Sequence, residues 1–111
     1  MKIIIWNVQR AKKAQLQLEV RFINRIINLD ILFVTETMVN DLNTQRIIRT
    51  LGFRNFGFIL PNNHVGGIWV LWKDDNVVLD IIAEEHRAIH CSVLEKSSNK
   101  QFIVTAAYVP A

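Results

Sequence analysis

The sequence predicts an α/β (α+β) fold: a βαβ start followed by an antiparallel meander. Three observations predict it. Two all-apolar runs, Ile3–Trp6 and Ile31–Val34, bracket a stretch with helical apolar spacing. From Phe53 onward, short apolar stretches alternate with polar turn clusters. The apolar fraction is 50% and the mean hydropathy +0.19, enough to fill a core and unlike a disordered chain.

Lys2 to Val8 is short and isoleucine-rich and reads as a buried strand. A polar, basic stretch follows, Gln9 to Gln15. Leu16, Val20, Ile23 and Ile27 then recur at spacings of four, three and four, which lays one apolar stripe along a helix. Leu18, Phe22 and Ile26 widen that stripe, so the helix is expected to bury a broad face against a sheet. Ile31 to Val34 is the second strand, ending at Thr35-Glu36-Thr37. Two strands joined by a helix make a parallel pair.

Asn40 and Asp41 can cap a second helix whose Ile47, Ile48 and Leu51 face inward, with Gly52 placed to end it in the left-handed conformation. Turn clusters then fall at Pro61-Asn62-Asn63, Lys73-Asp74-Asp75-Asn76 and Lys96-Ser97-Ser98-Asn99. Between them Ile89, Cys91 and Val93 share one strand face, with His90 and Ser92 opposite. Gln101 to Val109 reads as a last strand, two residues before Ala111. An apolar strand there calls for partners and cover that few remaining residues can supply. Residues 1–111 are therefore expected to be the N-terminal portion of a larger domain, truncated at the C-terminal end.

The net charge is +3, distributed unevenly. Residues 1–56 carry nine Lys and Arg against four acids, and residues 57–111 four against six. Arg10, Lys12 and Lys13 form a basic knot, compatible with a solvated helix start or with phosphate backbones that release counterions on binding. The single Cys91 excludes an internal disulfide or a thiolate metal cluster. The apolar run near the start is too short for a signal-peptide core, and none approaches the ~18 residues of a membrane helix. A soluble intracellular protein is expected, in the nucleus or the cytoplasm, with no membrane partner.

Three polar groups stand at the ends of apolar strands: Asn7, Glu36 and Tyr108. Strand ends in α/β folds converge on one edge, where binding sites collect. Each also has an ordinary explanation, as a turn residue, a solvent-facing carboxylate and an amphipathic core residue.

The order of motifs is more informative. Trp6-Asn7 follows an opening strand. One helix later comes Asp30-Ile31-Leu32-Phe33-Val34-Thr35-Glu36-Thr37, then Gly66-Gly67-Ile68-Trp69-Val70-Leu71-Trp72-Lys73, and last Tyr108-Val109-Pro110. This series resembles the endonuclease/exonuclease/phosphatase superfamily, most closely the endonuclease domains of plant LINE-type retroelements, over all 111 residues. The resemblance implies a four-layer sandwich of two β-sheets flanked by helices, present here in part, that hydrolyses phosphodiesters or phosphomonoesters with a metal-activated water, the complete domain acting on DNA. It implies that Asn7 helps hold phosphate and metal-bound water, that Glu36 ligates Mg²⁺ or Mn²⁺, and that Tyr108 contacts the scissile phosphate. A hard cation with oxygen ligands suits that assignment.

The superfamily also uses an Asp-x-Asn pair and a late Asp-His pair, both beyond the Tyr-x-Pro motif. His64, His86 and His90 match neither and read as loop and strand residues. Val8-Gln9-Arg10 stands where the first motif usually reaches a glycine. Thr37-Met38 replaces a Thr-Lys, removing a cation near the carboxylate. The expectation is a retroelement-derived endonuclease-type domain, inactive as this stretch. The alternative is a non-catalytic module that binds nucleic acid or protein through its basic first half. The sequence leaves the oligomeric state open.

Overall fold

A computed structural model describes residues 1–62 and 65–109, so His64, Asn63 and Pro110 lie outside the described residues. The chain runs β1 (Ile3–Asn7), α1 (Lys13–Ile27), β2 (Ile31–Thr35), α2 (Asp41–Arg49), β3 (Asn55–Ile59), β4 (Ile68–Trp72), β5 (Val77–Glu85), β6 (Ala88–Glu95) and β7 (Lys100–Ala107). The first sheet has the order β1-β2-β4-β3 and the second β5-β6-β7.

The βαβ start forms as the sequence predicts. β1 and β2 are parallel, with Ile3 opposite Ile31 and Asn7 opposite Thr35. α1 ends at Asn28, whose left-handed backbone (φ 56°) donates its amide to the Asn24 carbonyl. Asn40 caps α2 by accepting the Asn43 amide at 3.2 Å, and Gly52 takes φ +87° just beyond the helix end.

Side-chain alternation divides the core. Leu32 and Val34 of β2, with Trp69 and Leu71 of β4, face the helices and pack with Leu16, Val20, Ile47, Ile48 and Leu51. Ile31, Phe33, Ile68 and Val70 face the other way, onto Leu79, Ile89, Cys91, Val93 and Ala106 of the second sheet. β2 is buried from end to end because it has strand neighbours on both sides and cover on both faces. Both helices pack on the first sheet, giving three layers, and no helix covers the outer face of the second sheet among the described residues.

The antiparallel meander also forms, divided between the sheets: β3 pairs with β4, which inserts between β2 and β3, and β5, β6 and β7 make up the second sheet. Two expectations are corrected. β1 is not fully buried, because it is an edge strand, and Ile5 is 51% exposed. The helical stripe is also narrower than its apolar residues suggest. Leu16 and Val20 are buried and Ile23 and Ile27 half-buried, but Leu18, Phe22 and Ile26 point away from the sheet into solvent.

Candidate active site

The chain leaves β1 and β2 at the same end of the first sheet, and both exits are conformationally unusual. Gln9 (φ 51°), Arg10 (φ 115°), Glu36 (φ 54°) and Met38 (φ 55°) all lie in the region that L-residues avoid. Each such residue costs roughly 1 kcal/mol or more. The two exits hold one another there. Arg10 donates its amide to the Glu36 carbonyl at 2.8 Å, and Ala11 donates to the Thr37 carbonyl at 2.8 Å. Met38 in turn donates to the Gly66 carbonyl at 2.8 Å, and Thr37 to that of Gly67 at 3.3 Å. Each bond returns about 1 kcal/mol net, so the strain and its restraints are of similar size.

Gly66 and Gly67 take φ +90° and +95° where the chain enters β4. A Cβ on Gly66 would collide with the Tyr108 hydroxyl, and one on Gly67 with the Thr37 hydroxyl. Both positions thus require glycine twice over, for conformation and for space. Through this pair the loop after β2, on the first sheet, meets Tyr108, just past β7 on the second.

Glu36 and Tyr108 line one cavity of about 330 Å³, together with Gln9, Met38, Val65, Gly66 and Arg87. Tyr108 is 8% exposed, and its hydroxyl is buried with no hydrogen-bond partner among the described residues. Burial raises its pKa above the usual tyrosine value; Glu36 adds to the rise and Arg87 opposes it. A neutral phenol, a carboxylate and a guanidinium thus converge, with the phenol proton free to be donated.

Of the sequence-derived residues, the cavity brings Glu36 and Tyr108 together. Asn7 lies beside it without lining it: its side-chain carbonyl accepts the Gln9 amide at 3.3 Å, bracing the turn that does. Arg10 and Lys12 line a separate, smaller cavity with Trp6, Val8, Gln15, Leu16 and Glu19, between β1 and the start of α1. Lys13 is exposed on the first turn of α1, which carries no acidic residue. The basic knot is therefore adjacent to the carboxylate–tyrosine cavity, not inside it.

Arg87 was not legible as a site residue. It sits in the two-residue connection between β5 and β6, and its carbonyl accepts the Tyr108 amide at 3.1 Å. Only the register of the second sheet carries it to the cavity. His90 lies elsewhere: its ring nitrogens engage Glu85 and Thr105, each at 2.8 Å, on the outer face of the second sheet. His86 is exposed in the β5–β6 connection.

For a divalent metal, the donors here are one carboxylate, Glu36, with the Asn7 amide oxygen nearby. That set fits one side of a Mg²⁺ shell, whose remaining positions water and substrate oxygens can occupy. No cluster of three or more His, Cys, Asp or Glu occurs among the described residues.

No protein-family model and no curated protein matches the chain. Solved structures do. The catalytic domain of human Nocturnin with bound sulfate aligns at a TM-score of 0.67 and 16% identity, covering 98% of this chain and 49% of that one. The AP endonuclease LMAP from Leishmania major aligns at 0.62 and 13%, covering 97% and 40%. The endonuclease domain of TRAS1, a telomere-specific non-LTR retrotransposon, aligns at 0.63 and 11%, covering 97% and 45%. The chain spans less than half the length of each. Over nearly its whole length the chain shares one fold with these three domains.

Proposed function

We propose that residues 1–111 form the N-terminal, phosphate-holding part of a metal-dependent phosphodiesterase domain of retroelement origin, whose complete form hydrolyses DNA. The observation that carries this reading is the buried Tyr108 hydroxyl, unpartnered among the described residues, in a cavity shared with Glu36 and Arg87. A buried donor without a partner costs about 1–3 kcal/mol, a cost that an anionic ligand oxygen would remove. Two of these structural relatives support the substrate class. The Nocturnin domain holds a sulfate, an anion with the shape of phosphate, and the TRAS1 domain belongs to a retrotransposon.

In this reading Tyr108 donates its hydroxyl hydrogen to a phosphate oxygen and Arg87 neutralises part of the phosphate charge. Asn7 steadies the Gln9 turn and offers its amide to the phosphate side. Glu36, with Asn7, would hold Mg²⁺ or Mn²⁺, which when bound stabilises charge on the phosphoryl oxygen. None of the described histidines stands in the cavity to take a proton from water. The chain by itself binds and does not hydrolyse.

Backbone NMR with Mn²⁺ and inorganic phosphate tests both parts. Paramagnetic broadening should centre on residues 35–38 and vanish in Glu36→Gln, while phosphate should shift residues 87 and 108. Broadening that ignores Glu36→Gln would sink the metal assignment. Magnesium-dependent nicking of plasmid by the purified chain would overturn the claim of inactivity.

A second reading is favoured by the separation of the basic knot from the cavity. Arg10, Lys12 and Lys13 could then bind nucleic acid or an acidic protein surface without chemistry. Salt-dependent DNA affinity that survives Glu36→Gln but falls when the three are changed to Ala supports that module.

A further inference from the structure

Arg87 reaches the cavity from the two-residue turn between β5 and β6, and little holds that turn in place. Among the described residues its guanidinium takes part in no ion pair. Its position therefore depends on the backbone, where the Arg87 carbonyl accepts the Tyr108 amide at 3.1 Å. The chain leading into the turn has little packing of its own. Residues 82–87 are all exposed, and the pairing of β5 with β6 is broken by a bulge between Ile81 and Ala83. A bulge interrupts the ladder and lets the strand bend. Beyond it, Ala83 pairs with His90, Glu84 with Ile89 and Glu85 with Ala88, and the turn follows.

One side-chain network lies between the bulge and the turn. Ile89 and Cys91 face the core, so alternation turns His90 to the outer face of the second sheet, where Thr105 is its partner on β7. The His90 Nε2 meets the Glu85 carboxylate and its Nδ1 the Thr105 hydroxyl, each at 2.8 Å. A neutral imidazole satisfies both: Nε2–H donates to Glu85, and Nδ1 accepts the hydroxyl hydrogen of Thr105. The ring thus ties the end of β5 to β7 across β6. Glu85 stands two residues before Arg87, and Thr105 three before Tyr108. The strands joined by this ring are the ones that deliver both second-sheet groups to the cavity.

We infer that Glu85, His90 and Thr105 are positioning residues for the candidate site, holding the β5–β6 turn so that Arg87 stays beside Tyr108. None of the three lines the cavity, so each acts through the turn. Without this clamp, the segment beyond the bulge is free to swing away from β6, and a long arginine side chain loses its fixed base. Exposed pairs of this kind contribute modestly, so the expected effect is a partial displacement of Arg87. The consequence for an anion rests on the proposed function, whereas the coupling of Arg87 to Tyr108 needs no ligand.

Tyrosinate absorbance of the ligand-free chain reads that coupling. Because Arg87 holds the Tyr108 midpoint down, His90→Ala and Thr105→Val should raise it, by less than Arg87→Ala does and with an unchanged circular dichroism spectrum. Glu85→Gln keeps an oxygen acceptor for Nε2–H and should leave the midpoint in place, whereas Glu85→Ala should raise it. In an Arg87→Ala background, His90→Ala should have no further effect. A midpoint that His90→Ala leaves in place overturns the inference, and so does a rise that persists without Arg87. Titration with inorganic phosphate, followed by NMR, separates this inference from the proposed function: affinity should fall about threefold in His90→Ala. A parent chain that binds no phosphate, yet shows the midpoint shifts and their loss with Arg87, refutes the proposed function and supports the clamp.

Discussion

The Tyr108 hydroxyl lies against Gly66 so closely that no side chain fits at position 66 without displacing it. This single approach ties the second sheet to the loop that holds Glu36. Gly66→Ala should therefore lose stability by about 1–3 kcal/mol, from strain at φ +90° and from the collision. Tyr108→Phe removes the colliding atom, so the double variant should recover part of the loss but not the backbone strain. Urea denaturation of the four proteins checks this; strict additivity would mean that the two residues do not interact.

Tyr108 is the only tyrosine, so tyrosinate absorbance reports it alone. Its midpoint should lie above the usual value of about 10. The folded chain then holds the phenol proton more tightly than the unfolded chain. The resulting stabilisation is fully present below about pH 10 and is lost as the pH rises through the folded pKa. Arg87→Ala should move the midpoint further up and Glu36→Gln should move it down, because these charges act in opposite directions. A midpoint unmoved by both changes would separate the three groups.

Thr37 should tolerate loss of its hydroxyl. The group is fully buried and finds no hydrogen-bond partner among the described residues. Thr37→Val keeps the shape and removes an unsatisfied polar atom, so stability should rise by about 1 kcal/mol. A loss of stability in thermal melts would instead reveal a partner for the hydroxyl.

Cys91 is buried between the sheets, and burial pushes its thiol up to about 11. Little thiolate exists at neutral pH, so a disulfide reagent should label native protein at least ~100-fold more slowly than urea-unfolded protein. Fast native labelling would mean that the sandwich opens readily at β6.

Much of this architecture is legible in sequence because local periodicity encodes it. The runs at Ile3 and Ile31 with the Leu16–Val20–Ile23–Ile27 stripe specify β1, α1, β2 and their parallel pairing. Motif order singles out Glu36 and Tyr108, which the structure places on the lining of one cavity. The insertion of β4 between β2 and β3 is not legible, since pairing between strands distant in sequence leaves no local signature. Leu18, Phe22 and Ile26 mislead because periodicity counts apolar residues without knowing what is present to cover them. Arg87 is invisible for a related reason: a lone arginine in a hairpin connection gains meaning only when the register sets it beside Tyr108.

Glu36 belongs to a unit completed within the first 35 or so residues by short-range pairing, whereas Tyr108 arrives only when the last strand docks. Assembly of the cavity is therefore among the final events of folding, after the slow closure of contacts between distant segments. A chain caught midway owns the carboxylate but not the phenol, and cannot grip an anion with both. Under the proposed function, affinity for an anion would double as a readout of whether the two sheets have finished coming together.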